Sequence, residues 1–185
     1  MRTSLRLGFA AILAQGVFST EAPIPGFGVE VLEWNVEVSP GRVEALNGTV
    51  QEVFAQALQI NHYFQLKPIP EAKNLHKRRP PVKCDGVGLE SASTRTIEDG
   101  VSYLRRLSGT PSHGPGPSVC ARVSCSYNAA IWWCNRNHHP ITLGSWDWIA
   151  NSAQHIVNTC SHRGMVRGEN IEGDNWSTFV GHANC

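Results

Sequence analysis

Apolar and polar positions first fall into a regular rhythm at residues 32–38. Leu32, Trp34, Val36 and Val38 alternate with Glu33, Asn35 and Glu37. A period of two puts the first set on one side of an extended chain and predicts a half-buried strand. Ser39-Pro40-Gly41 reads as a turn, and Val43 and Ala45 as a short returning strand. Thr49 and Glu52 have capping-box spacing, in which hydroxyl and carboxylate satisfy orphan amides at a helix start. Val50, Val53, Phe54 and Leu58 then share one face of a helix ending near Asn61. These residues form a ββα unit, preceded by the loop-like EAPIPGFG.

A second rhythm starts after Lys77-Arg78-Arg79-Pro80-Pro81. Thr96 is placed to cap a helix in which Ile97, Val101, Leu104 and Leu107 recur at helical spacing, with Gly109 as its stop. After a Gly/Pro-rich loop, Ala121, Val123 and Cys125 alternate with Arg122 and Ser124, and AAIWW continues as a β-rich run. A turn near residues 126–128 makes this a hairpin with Cys125 and Cys134 on its two arms, and a bridge between them is the expectation. Ser145 caps another helix, whose inner face is Ile149, Ala153, Ile156 and Cys160. MVRGEN and WSTFVGHANC read as two further strands. The order α-β-β-α-β-β suggests an antiparallel sheet packed by two helices, an α+β sandwich preceded by a ββα pro-like segment.

The start of the chain changes the picture by adding a compartment. Arg2 and Arg6 precede an apolar run at residues 7–18, and Ser19 and Thr20 are small. This is the layout of a signal peptide, cut somewhere from Ser19 to Ala22. The run is shorter than the roughly 20 residues needed to cross a bilayer, and no other stretch approaches that length. The organisation expected is a signal peptide at 1–19, a pro-like segment at 20–79 and a cysteine-rich mature domain at 80–185. Lys77, Arg78 and Arg79 suit a processing protease of the secretory pathway. Pro80 hinders a cut directly after Arg79, so the cut is expected after Arg78.

Six cysteines, Cys84, Cys120, Cys125, Cys134, Cys160 and Cys185, all lie at residue 84 or later. In an oxidising compartment an even set reads as three disulfides, for which 15 pairings are open. Zinc wants close pairs such as C-x2-C, which are absent. Charge points to no partner: from residue 80 onward, Lys83 and seven arginines balance eight acidic residues. Without a basic stripe, nucleic acid is not an expected partner.

Candidate chemistry begins with His138, His139, His155, His162 and His182, beside Glu169, Glu172 and Asp174. Two histidines, or histidine with glutamate, would serve as acid and base in a small nuclease, with Arg163 or Arg167 on the phosphate. A metal site would draw on His138, His139 and His162, but neighbours on a strand point apart. No G-x-S-x-G elbow supports a serine hydrolase. Trp132, Trp133, Trp146, Trp148 and Trp176 are candidates for sugar platforms or protein contacts; on a strand, Trp132 and Trp133 face opposite sides, one inward and one outward. Asn47-Gly48-Thr49 and Asn175-Trp176-Ser177 are N-glycosylation sequons.

The runs GPGPSVCARVSCSYNAAIWWCN, SWDWIANSAQHIVNTC and VRGENIEGDNWSTFVGHANC, with LNGTVQEVFAQALQIN in front, look like a group of small secreted proteins of filamentous fungi. More distantly, Cys125, Cys134, Cys160 and Cys185, placed around a hairpin, a helix end and a final strand, resemble the killer-toxin-like and necrosis-inducing effector families. That resemblance implies an α/β sandwich and an extracellular toxin or host-directed role. The chain departs from those families in having fewer cysteines than the viral killer toxins and Lys83 as its only lysine after residue 80. The expectation is a secreted, monomeric fungal effector or toxin-like protein without cofactor or metal, acting by surface contacts on an extracellular host or competitor target. A small nuclease and a carbohydrate-binding module are the alternatives.

Overall fold

The computed structural model describes residues 22–68, 81–85 and 88–185. The signal-peptide reading and Lys77, Arg78 and Arg79 therefore lie outside the described residues. The first half contributes β1 (Gly28–Glu30), β2 (Glu33–Ser39), β3 (Arg42–Asn47) and α1 (Val50–Ile60). The second half contributes β4 (Val82–Lys83), β5 (Ala92–Ser93), α2 (Thr94–Arg105), β6 (Ser112–His113), β7 (Val119–Ser126) and β8 (Ala129–Asn135). It continues with β9 (Ile141–Thr142), α3 (Asp147–Cys160), β10 (Met165–Val166), β11 (Gly168–Ile171) and β12 (Trp176–His182). The class is α+β, a small disulfide-stapled sandwich.

The front unit forms as its periodicity requires. Leu32, Trp34, Val36 and Val38 are buried while Glu33, Asn35 and Glu37 face water. β2 pairs with β3 in an antiparallel ribbon. Thr49 closes a complete capping box: its N–H donates to Glu52 Oε2 (2.6 Å), and its hydroxyl donates to the same oxygen (2.8 Å) while accepting from the Glu52 N–H. The helix buries Val50, Val53 and Ala57.

Six strands in the order β1-β7-β8-β12-β11-β4 make the main sheet. All its pairs are antiparallel except β1–β7, so the edge strand β1, drawn from the front segment, makes the sheet mixed. α2 and α3 pack on one face of the sheet, where Ala121, Ile131, Trp133 and Val180 meet Ile97, Leu104, Ile149 and Ile156. α2 comes so near that a Cβ on Gly100 would collide with Ser124 Oγ. The opposite face gathers Cys120, Trp132, Cys134 and Phe179 under Ala22, Ile24 and Phe27.

Two helix starts differ from expectation. Thr96 is not the cap of α2: Ser93 is, its hydroxyl accepting from the Thr96 N–H. α3 begins after Trp146 without a side-chain cap, and Ser145 offers its carbonyl to the Trp148 N–H instead. α2 also stops at Arg105, before Gly109.

The disulfides are Cys84–Cys160, Cys120–Cys134 and Cys125–Cys185. The expected Cys125–Cys134 bridge does not exist, and the hairpin register explains why. Tyr127 and Asn128, both at positive φ, make a two-residue turn. That register sets Cys120 opposite Cys134 and Cys125 opposite Ala130. A bulge between Arg122 and Ser124 then flips the parity of β7. Ala121 and Val123 join the helix-side core, whereas Cys125 lies on the other face with Cys120 and Cys134.

Candidate functional site

A cleft of about 330 Å³ opens between the front unit and the main sheet. Three charged side chains from three elements converge on it: Glu30 from β1, Glu52 from α1 and Arg122 from β7. Asn47 and Gln56 line it too, with the exposed Val31 at its rim. Each charged group is held in place. Glu52 serves the capping box. Arg122 donates to the Asn184 carbonyl (2.6 Å) and lies over the Trp132 ring, 5.8 Å from its centroid. Glu30 accepts from the Gly114 N–H (3.1 Å), and its Oε1 stands 2.7 Å from His113 Nδ1.

His113 is the unusual group behind this cleft. Its side chain is fully buried, edge-on to Trp133, with Nε2 3.1 Å from the Trp133 carbonyl. Burial pushes the imidazole below its ordinary value, against the opposing pull of the Glu30 carboxylate. A neutral ring carries one N–H, while an acceptor faces each of its two nitrogens. The pair therefore joins β1 to β6 through a polar contact whose histidine is buried and whose carboxylate reaches the cleft. Neither residue stands out in the sequence. His113 sits in a Gly/Pro-rich loop, and Glu30 precedes the first alternating run, so neither carries a periodic or motif signal.

The histidines singled out from sequence are carried by several elements. His138 and His139 are exposed in the loop after β8, His155 is on α3, His162 follows α3, and His182 ends β12. Among the described residues, no group of three or more His, Cys, Asp or Glu side chains is placed to hold a metal ion. Glu169 is buried and ion-paired with Arg136 and, at 3.9 Å, with Lys83. Glu172 accepts from Asn170 (2.7 Å), and Arg167 donates to Asp85 (3.0 Å). Asp174 and Arg163 are exposed. These partners commit Glu169 to the fold, away from an acid–base role, whereas Arg167 pairs with Asp85 at the surface.

Four of the five candidate tryptophans are covered. Trp132, Trp133, Trp146 and Trp176 are each at most 4% exposed, and only Trp148, at 45%, reaches the surface. Trp132 and Trp133 do point to opposite faces, but both faces are covered, one by α2 and α3 and the other by the segment around Phe27. The one stacked indole pair, Trp34 on Trp146 with centroids 3.7 Å apart, lies inside the core. It cannot serve as a platform for a sugar.

Of the two sequons, Asn47 is exposed, and its Thr49 is buried in the capping box. Asn175 is exposed as well, but its amide donates to the Arg136 carbonyl (3.1 Å), and Ser177 is fully buried. Among the described residues, no helix is long and apolar enough to cross a membrane. No family model, curated protein or solved structure matches this chain.

Proposed function

We propose that this protein is a secreted fungal effector or toxin-like protein that acts on an extracellular host or competitor target through surface contacts, as a monomer. The observation that carries this reading is the complete use of its cysteines. All six pair as three disulfides, and no free thiol remains. Such bonds form and persist outside the reducing cytosol. The signal-peptide layout at residues 1–19 and the resemblance to small secreted fungal proteins lead to the same compartment. A surface role fits the cleft, whose charged groups are fixed by internal partners and so present a preorganised polar face. The inward placement of four candidate tryptophans argues against the carbohydrate-binding alternative, and the ion pair of Glu169 with Arg136 argues against that carboxylate as a nuclease base.

The test is direct. The protein is recovered from a fungal culture, its intact mass is measured before and after reduction, and it is applied to host tissue and to competing microbial cells. Secreted protein that gains about six protons on reduction, and causes cell death or growth arrest only while oxidised, is the expected result. Retention inside the producing cell, or equal inactivity of oxidised and reduced protein in both assays, would sink the reading.

A further inference from the structure

The front segment is built into the fold of the cysteine-rich half. β1 completes the main sheet, with Gly28, Val29 and Glu30 opposite Val119, Cys120 and Ala121. Trp34 stacks on Trp146 at an interplanar angle of 10° and is locked there by its indole N–H to the Gly48 carbonyl (2.7 Å). From α1, Gln51 donates to Ser124 Oγ (2.8 Å) and accepts from the Cys125 N–H (3.1 Å), meeting β7 at its bulge. At the far end, the Lys67 N–H donates to the Arg106 carbonyl (3.2 Å), and the Arg106 side chain donates to the Lys67 and Leu66 carbonyls. Among the described residues, the main core cluster has 27 buried side chains, and eight of them come from residues 32–57.

None of the three disulfides crosses between the halves, because all six cysteines lie at residue 84 or later. The main chain and noncovalent contacts alone join them. A half without the other would expose Trp146 and the β7–α2 surface on one side, and Val36, Val50 and Val53 on the other. Apolar area of that kind is what drives two pieces to stay together.

We propose that residues 22–68 are a permanent structural subunit of this protein, retained as a noncovalent partner of residues 81–185 after the chain between them is cut. The cut itself rests on the secreted reading. A serine endoprotease that recognises basic residues adds water across one peptide bond at Lys77-Arg78-Arg79, leaving a new carboxylate and a new amine and breaking no other bond. Retention depends on the interface alone and not on that reading.

The two are separated by placing the recognition sequence of a site-specific protease in the 69–76 stretch of the full secreted chain. After digestion, both peptides are expected to co-elute in native buffer at the volume of the uncut chain, keeping the near-ultraviolet dichroism of the stacked Trp34–Trp146 pair. They are expected to separate in denaturant without reductant. Separation in native buffer overturns the proposal, whether the cysteine-rich half then stays folded or precipitates. In the cut protein, Gln51→Ala is expected to raise the dissociation constant between the peptides by about fivefold. Trp34→Ala is expected to raise it by at least about a hundredfold. An unchanged constant in the Gln51 variant also counts against the proposal, even if the Trp34 variant fails to fold. Failure of the native basic site to be cut in a fungal host would touch only the secreted reading.

Discussion

His113 has no exposed side-chain surface, yet it is a titratable group set between a carboxylate and a carbonyl. Burial lowers its folded value, with Glu30 opposing, so the unfolded chain takes up the proton first as pH falls. The contribution is fully present above the ordinary value of about 6.5 and is lost as pH drops through that region. Urea midpoints measured from about pH 8 to about pH 5 are expected to fall more steeply for the wild-type chain than for His113→Gln. Parallel profiles would mean that His113 does not carry the acid sensitivity. Periodicity could not reveal this residue, because one histidine in a loop has none. Its chemistry arises only when β1, on the other side of the chain, brings Glu30 within 2.7 Å.

The elements that best match their sequence patterns are those whose signals are local. The capping box at Thr49 and Glu52 spans four residues and formed as read. Replacing Thr49 by Ala should cost about 1 kcal/mol of stability, while Thr49→Ser should retain most of it. The comparison is made by chemical denaturation of deglycosylated protein, since the alanine variant also loses the Asn47 sequon. Equal losses in both variants would show that the hydroxyl is not the operative group. Signals went astray where two readings compete. Thr96 and Ser93 both offer a hydroxyl near the start of α2, and Ser93 prevails because the backbone turns helical at Thr94, beside the β5–β10 pairing. The hairpin of β7 and β8 was legible as a hairpin, but its bulge was not. One extra residue between Arg122 and Ser124 leaves the alternation of residue types almost unchanged while moving Cys125 to the opposite face.

The three disulfides tie regions far apart in sequence, and their unequal spans give an order of effect. Cys84–Cys160 and Cys125–Cys185 close 76 and 60 residues, against 14 for Cys120–Cys134. Loop-closure entropy assigns about 4 kcal/mol to each long span and about 3 kcal/mol to the short one. Paired replacement of Cys84 and Cys160 by Ala should therefore lower unfolding free energy by about 4 kcal/mol, read from denaturant titration. A loss below about 1 kcal/mol would show that the unfolded chain is already restrained there by other means. The same pair anchors the end of α3 to the segment just after β4, on the far side of the sheet from the front unit.

Local pattern was enough to establish the ββα unit, the principal helices, the hairpin, the α+β class and an even set of cysteines able to pair. Each of these depends on neighbours within a turn or a pleat, where residue type and spacing act directly on the backbone. Which cysteines meet, which tryptophans are covered, and how the front unit and the main sheet share one core depended on the tertiary structure. Those outcomes turn on register, on a single bulge and on the stacking of layers. A contact such as Glu30 with Gly114, 84 residues apart, has no local trace, because burial is a property of what packs above a residue and not of the residue itself.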